Sequence, residues 1–586
     1  MNRKQDIMRQ ALRMDYEAFE DPGIGFDYEK MMASSGYTLD DVIRIQKENN
    51  IGNTPLIELK RLSAYARKFA EPGYGARIFL KDEAQNLSGS FKARRAAMAI
   101  HQAKKLGFKG VIAATSGNYG AAVAALAARE GLKCIIVQEC YDSNGVGQPE
   151  IIEKARACQA YGADVVQLSV GPELFYQFLM LLEETGYFNA SLYSPYGIMG
   201  IETLGYEIAQ DMMKEEHKYP EVVICTNAGG GNLTGTARGL KKAGALETKI
   251  MAASVDLTGL HMASDHDFNL KSFTTGHTGF GIPFTTFPDR SDVPRSAARP
   301  LRYMDGYGLV NQGSVFFITE ALALLEGMER GPAGNTSLAL AFSMATSMKE
   351  DEIIVVQETE YTGAGKHMNA QISFAMDRGI NLVLGNPLNE KPGTNLIFPS
   401  SASMLKHKDI PLDQLRLSYL KRYKDVMLFE EDYQYLALEL NITKDKVKAL
   451  MEERWMKSRV DDFATRRAHL AHLSDQELKV YFEKLTDQLI DPLLDMAYHY
   501  TTPAIERSVL MRMGFSSIEA KQLTDKMMEH NLIEYGTGHI VFRYAQDHHL
   551  TIREAGLKLL SSEEIASYKE VFLRWRFMKR LTFITS

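Results

Sequence analysis

The feature that most constrains the fold is a regular alternation, between residues 75 and 400, of short strand-like runs with alanine-rich helical runs. The strand-like runs are almost continuously apolar, which is typical of parallel strands covered by helices on both faces. They lie at 77–81, 110–114, 133–138, 164–168, 221–226, 249–256 and 351–357. Repetition at this spacing predicts an α/β fold with open, mostly parallel sheets. After the second run, the segment GAAVAALAAREG predicts a helix that ends at Gly131.

The chain changes character after about residue 412, where strand patterns stop and helix-start patterns accumulate. Four segments have capping-box spacing, in which a serine or threonine is followed three residues later by a glutamate. They begin at Ser474, Ser516, Thr551 and Ser561. We therefore predict an α/β domain over 1–424, a helical appendage over 425–458 and an all-α C-terminal domain over 459–586.

Charge and composition exclude several functional classes. The formal net charge of -7 argues against a nucleic-acid or anionic-membrane partner. The first residues are charged without the apolar core of a signal peptide, and no apolar run reaches the ~18 residues of a membrane span. The four cysteines form no C-x-x-C pair, which argues against a disulfide scaffold or a structural zinc site. We expect a cytoplasmic protein without a metal site.

Glycine-rich turns at the ends of predicted strands carry the candidate chemistry. In Asn86–Lys92, a lysine follows a small, hydroxyl-rich turn at a predicted helix start, where its amine can point into a cleft. The turn Thr115–Gly120 opens the next helix, whose free N–H groups favour an anion such as a carboxylate. The turn Asn227–Gly235 contains three consecutive glycines, which let backbone N–H groups wrap a phosphate.

These turns, in this order, resemble those of the fold-type II pyridoxal-phosphate enzymes, the tryptophan synthase β-chain family. The supporting motifs are GNTPL (52–56), GSFK (89–92) and AYGADVV (160–166). In that family the lysine carries pyridoxal 5'-phosphate, the asparagine contacts the ring hydroxyl, and the glycine loop holds the phosphate. One departure is that GSFK is commonly followed by Asp-Arg-Gly, whereas this chain has Ala93-Arg94-Arg95. The lysine is intact, but the substrate does not follow from the general family.

The resemblance implies a role for each matching residue. Lys92 is implied to be the catalytic lysine, and Thr362 resembles the threonine whose hydroxyl faces the pyridine nitrogen in threonine synthase-like members. The residues implied to bind the cofactor are Lys92, Asn118, Ala228, Gly229, Gly230, Gly231, Asn232 and Thr362. Those expected to bind the substrate carboxylate are Thr115, Ser116, Asn118 and Tyr119.

Other interpretations of single motifs are weaker. Residues 362–367 match a Walker loop only at their Gly-Lys pair. Residues 436–451 have helix-turn-helix spacing but few base-reading side chains, so helical packing is favoured. Cys140 could relay an acyl group as a thioester, although buried packing is the favoured role. Four loop residues fit either substrate contact or solvation, and they are His261, His266, His277 and Arg295.

Longer stretches carry a more specific resemblance. Residues 5–455 resemble the large (β) subunits of 2-amino-4-ketopentanoate thiolases, in GFDYEKMM (25–32), VQECYDSNGVGQPEIIEKA (137–155), VGPELFYQFL (170–179), TNAGGGNLTGTARGL (226–240), FTTGHTGFGIPF (273–284) and RGPAGNTSLA (330–339). The tail resembles the small subunits of D-ornithine 4,5-aminomutases, in DDFATRRAHLAHLSDQEL (461–478), IDPLLDMA (490–497), PAIERSVLMRMGFSSIEAK (503–521) and GHIVFRYAQDHHLTIREAGL (538–557).

This resemblance implies thiolytic cleavage of 2-amino-4-ketopentanoate with coenzyme A as co-substrate, giving alanine and acetyl-CoA in ornithine degradation. The implied partners are a thiolase small subunit and a large aminomutase subunit that holds adenosylcobalamin. A homo-oligomer is also expected. Two alternatives stay open: another fold-type II lyase or synthase, threonine synthase-like, acting on a different small amino acid with a structural helical tail, and a non-enzymatic scaffold.

Overall fold

The computed structural model describes most of the chain in two compact units, Met1–Lys457 and Ser458–Ser586. The described residues are 3–115, 117–142, 145–147, 149–169, 173–191, 194–257, 298–361, 368–455, 470, 473–474, 476–486, 488, 503–561 and 565. A search of these residues finds no helix with the length and apolar character that crossing a bilayer requires.

Thirteen strands are present in the described part of the first unit. They are β1 (Leu56–Glu58), β2 (Arg77–Asp82), β3 (Gly110–Ala114), β4 (Lys133–Tyr141), β5 (Asp164–Ser169), β6 (Phe188–Asn189), β7 (Val222–Thr226), β8 (Lys249–Val255), β9 (Gly306–Val310), β10 (Ile353–Glu358), β11 (Asn381–Gly385), β12 (Asn395–Pro399) and β13 (Lys408–Asp409). All seven strand-like runs predicted from the sequence lie on strands, namely β2, β3, β4, β5, β7, β8 and β10.

The strands form two main sheets and one small one. The larger main sheet has the order β1-β2-β10-β7-β8-β9-β13, and only its two edge strands, β1 and β13, are antiparallel to their neighbours. The second has the order β5-β4-β3-β6 and is fully parallel. Strands β11 and β12 pair in parallel by themselves. The predicted fold class, an α/β unit with mostly parallel sheets followed by a helical region, is confirmed.

In the described part of the first unit, sixteen labelled helices accompany these sheets. They are α1 (Arg3–Leu12), α2 (Tyr28–Ser34), α3 (Leu39–Glu48), α4 (Lys60–Arg67), α5 (Lys92–Lys105), α6 (Asn118–Glu130), α7 (Pro149–Ala160), α8 (Glu173–Thr185), α9 (Pro195–Glu215), α10 (Gly231–Lys242), α11 (Gln312–Glu326), α12 (Asn335–Ala345), α13 (Met368–Asp377), α14 (Leu412–Leu420), α15 (Glu430–Leu440) and α16 (Lys444–Trp455). The predicted alanine-rich helix is α6, and it ends at Gly131, which has a φ of 70°. Its buried alanines let it pack closely between α5 and α7.

The last two helices of the first unit pack against its main sheet. Leu436 and Leu440 of α15, with Val447 and Leu450 of α16, join the same apolar cluster as residues of β7 and β8. The segment predicted to be a helical appendage is therefore helical and buried on one side. The three-part division of the chain stays a prediction.

The second unit is helical wherever the structure describes it. Its labelled helices are α17 (Pro503–Arg512), α18 (Ser517–Glu529), α19 (Thr537–His548) and α20 (Ile552–Ser561), and a further helical segment covers 476–486. Capping bonds are present at Ser474, Ser516 and Thr551, as predicted, and the one expected between Ser561 and Glu564 involves Glu564, which lies outside the described residues. The buried core of this unit consists of apolar side chains from α17 to α20.

Candidate active site

The turn that carries Lys92 is bonded to the carboxyl end of β10. The backbone N–H of Phe91 donates to the carbonyl of Thr359 at 3.1 Å, and that of Tyr361 donates to the carbonyl of Gly89 at 2.8 Å. Lys92 is the first residue of α5 and is half-buried, with its Nζ 4.4 Å from the centroid of the Phe91 ring. The lysine is therefore placed at the carboxyl edge of the main sheet, where ligands bind in open α/β folds.

A buried arginine two residues later fixes the start of α5. The side chain of Arg94 is fully buried and forms two bonds with each of two carboxylates. Its Nε and Nη2 donate to Glu83 at 2.7 and 2.8 Å, and its Nη1 and Nη2 donate to Glu207 at 2.8 and 2.7 Å. The fully buried Lys81 adds a second cation 3.2 Å from Glu207. Planar, bidentate pairing of this kind fixes orientation as well as charge.

The pKa values of Glu207 and Arg94 keep these two side chains ionised. Burial opposes the charged form of Glu207, but the adjacent Arg94 guanidinium outweighs burial and lowers the pKa of Glu207 to about 2. Burial likewise opposes the charged form of Arg94, yet Glu83 and Glu207 raise its pKa above the ordinary value. The ion pairs beneath the lysine turn therefore persist at neutral pH.

The GNTPL segment completes the support of the lysine turn. Gly52, at a φ of 84°, donates its N–H to Asn86 Oδ1 at 2.9 Å. Asn53 donates its N–H to Glu207 at 2.9 Å, and the Thr54 hydroxyl donates to Glu83 at 2.6 Å. The GNTPL segment is thus bonded to the same carboxylates, Glu83 and Glu207, that hold Arg94 just after the GSFK motif.

The glycine loop forms the N-terminus of α10. Gly230 is the N-cap residue and has a φ of 87°, a conformation that glycine adopts without strain. A Cβ at this position would lie 2.4 Å from Cγ of Pro300. Asn232 Nδ2 donates to Gln357 Oε1 of β10 at 2.7 Å. The first N–H groups of α10 have no partners within the helix and therefore suit an anion.

A second buried ion pair holds Pro300 in place against the loop. Arg299 donates from Nε to both oxygens of Glu439 at 3.0 Å, and both side chains are 2% exposed. The Arg299 guanidinium also lies 4.3 Å from the centroid of the Tyr28 ring. Residues from α2 and α15 thus fix the segment that limits the space around Gly230. The sequence pattern contains no signal of this pairing, because its members lie far apart along the chain.

The TSGN turn connects β3 to α6. The Thr115 hydroxyl accepts the N–H of Gly117 at 3.1 Å, and Asn118 is the first residue of α6. Asn118 is 7% exposed, and its Oδ1 has no hydrogen-bond partner among the described residues. Tyr119 is 1% exposed and its ring packs in an apolar cluster, so it presents backbone rather than an open side chain to this end of the helix.

The structure brings the three predicted turns together. The lysine turn and the glycine loop are both bonded to residues 357–361 at the end of β10, and α6 packs against the turn Leu87–Gly89. Ser116 and Thr362 lie outside the described residues, as do His261, His266, His277 and Arg295. The roles of the individual residues stay predictions.

Cys140 is placed as a packing residue. It is fully buried, and burial raises the pKa of its thiol to about 12, so it is not ionised at neutral pH. All four cysteines are buried and free. Among the described residues no group of three or more histidine, cysteine or carboxylate side chains could hold a metal ion.

The residues present fit pyridoxal 5'-phosphate. A lysine at a helix start, a buried asparagine with an unbonded Oδ1, and a helix N-terminus preceded by a left-handed glycine supply groups for its aldehyde carbon, ring hydroxyl and phosphate, respectively. Backbone donors at the glycine loop bind the phosphate without requiring any charged side chain.

Comparison with known proteins agrees with this fit. Residues 47–360 match the family "Pyridoxal-phosphate dependent enzyme". The chain is 63% identical over 457 residues to the 2-amino-4-ketopentanoate thiolase beta subunit of Acetoanaerobium sticklandii, covering 77% of this chain and 97% of that protein. It is 31% identical over 193 residues to the threonine synthase of Halalkalibacterium halodurans, covering 33% of this chain and 49% of that protein.

The C-terminal region matches a different family. Residues 458–572 match "D-ornithine 4,5-aminomutase alpha-subunit". This region is 54% identical over 101 residues to the D-ornithine 4,5-aminomutase subunit alpha of Acetoanaerobium sticklandii, covering 17% of this chain and 84% of that protein. The chain therefore belongs to the family of pyridoxal-phosphate-dependent enzymes and carries, fused behind that unit, a member of the D-ornithine 4,5-aminomutase alpha-subunit family.

Proposed function

We propose that the first unit is the large subunit of a 2-amino-4-ketopentanoate thiolase, which cleaves its substrate with coenzyme A to alanine and acetyl-CoA. The observation that carries this proposal is the high identity to a thiolase beta subunit along nearly its whole length. The similarity to a threonine synthase covers only 49% of that protein. It therefore supports a pyridoxal-phosphate-dependent reaction but not the substrate of threonine synthase.

We assign cofactor attachment to Lys92 and phosphate binding to the backbone of Ala228, Gly229, Gly230, Gly231 and Asn232. The amide of Asn118 would contact the ring hydroxyl, and the Thr362 hydroxyl would face the ring nitrogen. Bound pyridoxal phosphate supplies an electron sink for a carbanion formed on the substrate. The ion pairs of Arg94 would keep the start of α5 fixed, so that the Lys92 amine can take and return a proton at one position.

The N-terminus of α6 is the proposed site for the substrate carboxylate. Its partial positive charge and the N–H groups near Thr115, Ser116, Asn118 and Tyr119 suit a carboxylate. Anchoring the carboxylate there would fix the bonds around the substrate Cα. In the cleavage step, the sulfur of coenzyme A bonds to C4, the C3–C4 bond breaks, and its electron pair takes a proton at C3. The thiol proton is lost as the acetyl group becomes bound to sulfur.

The second unit is proposed to act as the small subunit of a D-ornithine 4,5-aminomutase without a catalytic site of its own. Its large partner would hold adenosylcobalamin and a second pyridoxal phosphate. The proposed contact surface is α17, where Ile505 and Val509 are 56% and 38% exposed. Contact with the large subunit would cover these two aliphatic side chains. The first unit would work with a thiolase small subunit and is expected to form a homo-oligomer.

The thiolase proposal is tested by mixing the full chain with the thiolase small subunit, 2-amino-4-ketopentanoate and coenzyme A. Alanine and acetyl-CoA should form in equal amounts, and threonine synthase substrates should give no product. Borohydride reduction should label Lys92, which tests the cofactor assignment independently of turnover. Product from another amino acid but not from 2-amino-4-ketopentanoate would replace the thiolase with a different lyase or synthase.

The role of the tail is tested by adding the full chain to the large aminomutase subunit. The two should co-purify, and D-ornithine should be rearranged only when both are present. A chain with Ile505→Glu and Val509→Glu should lose both properties while thiolysis continues. If the unmodified chain neither binds nor activates the large subunit, the tail is a structural cap.

A further inference from the structure

A cavity of about 310 Å³ adjoins the lysine turn. The lining residues that matter here come from three places, the turn before Lys92, the helices α6 and α7, and the end of β10, and they are Ser88, Ala121, Lys154, Ala157, Tyr161 and Tyr361. Ser88 and Gly89 belong to the lining, so a molecule in this cavity contacts the turn that carries Lys92. None of the residues proposed to bind the cofactor is among these lining residues, so the cavity has no role in the proposed cofactor site.

Ser88 has a strained backbone and an available hydroxyl. Its φ of 64° lies in the left-handed region, which is uncommon for residues other than glycine, asparagine and aspartate. Its Oγ is buried and has no hydrogen-bond partner among the described residues. Backbone strain held at such a position is typical of ligand sites, and a buried hydroxyl in a cavity wall provides one donor and one acceptor.

Lys154 lines the cavity and forms an ion pair with Glu150 on the same helix. Their side chains are 2% and 1% exposed, and they lie one turn apart on α7. The pair carries no net charge, so it disfavours an anionic occupant such as a phosphate. The Lys154 ammonium nevertheless supplies charged N–H donors beside the cavity, and hydrogen bonds from a charged donor are stronger than those from a neutral one.

Two tyrosines mark the opening of the cavity. Tyr161 and Tyr361 are 41% and 40% exposed, whereas Lys154 is buried. The path from solvent toward the lysine turn is thus lined first by aromatic rings and then by Ser88 and the ion pair. A cavity with tyrosines at its opening and a neutral ion pair at its wall suits a chain of secondary amides, each of which offers one N–H and one carbonyl.

We propose that this cavity binds the pantetheine arm of coenzyme A and directs its thiol toward the substrate at Lys92. This inference rests on the proposed thiolase function, which requires a thiol to reach the substrate C4. The neutral Lys154–Glu150 pair favours the amide arm over the phosphates, so the nucleotide end of coenzyme A is left outside the cavity, beyond the tyrosines.

The test fills the cavity with a larger side chain. Ala157→Phe adds a ring from the middle of α7 into the cavity, and Ala160→Phe adds the same ring at an exposed position near the end of the same helix. Each full-length variant is loaded with pyridoxal phosphate and mixed with the thiolase small subunit. Binding of pantetheine and of coenzyme A is then measured by equilibrium dialysis with labelled compounds.

Ala157→Phe should raise the dissociation constants of both pantetheine and coenzyme A at least tenfold, and Ala160→Phe should leave both unchanged. The absorbance of lysine-bound cofactor should be the same in both variants, which reports an intact fold. Because a ring at a half-buried position can disturb folding, a second variant, Tyr161→Ala, removes the exposed ring at the entrance and should weaken pantetheine binding about threefold.

The outcomes separate this inference from the thiolase proposal. If Ala157→Phe and Tyr161→Ala leave both constants unchanged, or if only coenzyme A binding weakens, the pantetheine site is wrong even where acetyl-CoA is still formed. If the unmodified complex binds no pantetheine, the inference is also overturned. If pantetheine binds and Ala157→Phe prevents it, but 2-amino-4-ketopentanoate gives no product, the site stands and the thiolase proposal fails.

Discussion

Both units place a carboxylate at the start of a helix, but with opposite effects on its pKa. In the first unit, Glu390 is 8% exposed and accepts the N–H groups of Gln312 and Gly313 at the start of α11, as well as that of Ile397. Burial raises the pKa of Glu390 to about 7, although these three bonds act in the other direction.

In the second unit, Glu519 and Glu554 occupy the third position of α18 and α20. Bonds from the backbone and side chains of Ser516 and Thr551 lower the pKa of both carboxyl groups. The difference shows two uses of one interaction. The first unit buries Glu390 at the start of α11, whereas the second keeps Glu519 and Glu554 at its surface as helix caps and buries a different carboxylate, Glu506, which accepts the N–H of Thr537 at the start of α19.

The largest difference between the units should come from Lys92→Ala. We expect the variant to lose the borohydride-reducible cofactor and all thiolase activity, because no other residue is proposed to bind the cofactor covalently. Lys105→Ala, at the exposed end of the same helix, should keep both. Ultraviolet-visible spectra and peptide mapping after reduction measure the effect, and a reduced cofactor adduct on another lysine would refute the assignment.

Gly230→Val should be nearly as damaging to the first unit. The φ of 87° strains any side chain, and a Cβ would lie 2.4 Å from the Pro300 ring, so the loop cannot keep its shape. Cofactor remaining after dialysis should fall more than tenfold. Gly244→Val shares the positive φ at the other end of α10, where the nearest atom to a Cβ is the Tyr219 hydroxyl at 3.3 Å. That control should retain the cofactor, and equal loss in both variants would indicate general unfolding.

Arg94→Met tests whether buried ion pairs hold the first unit together. Removing the guanidinium leaves Glu83 without its main counter-charge in a fully buried position, which typically costs about 3–5 kcal/mol. Arg553→Met in the second unit removes an exposed pair with Glu519 and should change stability little. Urea unfolding of the full chain, followed by probes in each unit, measures both. Similar losses from the two substitutions would remove the distinction between the units.

A smaller effect is expected from pH. The raised pKa means that folded Glu390 binds its proton more tightly than it does in the unfolded chain, where the ordinary value is 4.5. The stability contributed by this proton is therefore present below pH 4.5 and lost as pH rises to about 7, by about 3.5 kcal/mol at ~1.4 kcal/mol per pKa unit. The carboxylates of Glu519 and Glu554 act in the opposite sense, because their pKa values are lowered on folding. They stabilise the folded second unit above pH 4.5, and this stabilisation is lost as the pH falls through their lowered pKa values.

The variant Glu390→Gln should remove the stability loss between pH 4.5 and 7 in the first unit. Thermal unfolding at several pH values, with separate probes for the two units, measures the difference. An unchanged pH profile in Glu390→Gln would mean that another group titrates in this range.

The smallest effect is predicted for Ser516→Ala in the second unit. The Ser516 hydroxyl accepts the N–H of Glu519 at 3.3 Å, and loss of such a cap costs about 1 kcal/mol. Ser516→Thr keeps the hydroxyl and should restore most of the loss. Urea unfolding monitored in the second unit checks both variants, and full stability in Ser516→Ala would show that the cap contributes little here.

The sequence predicted the central strands because their apolar runs are long enough to form a pattern. It missed β6 and β13, which have two residues each, and β1, which has three, because so few residues carry no periodicity. It also missed β9, which contains Gly306 and Gly308, since glycine weakens the strand signal, and it missed β11 and β12, which pair only with each other. Short and glycine-containing strands form here because neighbouring strands supply their hydrogen bonds.

The parts of the site that were predicted are those formed by short motifs of consecutive residues. The three turns were identified and the structure brings them together, but the supporting pairs were not foreseen. Arg94 was noticed only as part of a departure from the family motif, whereas its partner Glu207 lies 113 residues away. Tyr119 was predicted to bind the substrate carboxylate, and since its ring is buried in the core, such a contact would come from its backbone N–H. Contacts between distant segments require the fold.

The bonds from β10 to both the lysine turn and the glycine loop have a consequence for the spacing of the site. Gln357 holds Asn232, and Thr359, two residues later, holds Phe91, so one stretch of backbone sets the separation between the two anchor points. If the smaller sheet moved relative to the main sheet during turnover, that separation would not change. Inserting one residue between Gln357 and Thr359 would reverse which side chains face the site, so the strand tolerates changes of residue type more readily than changes of length.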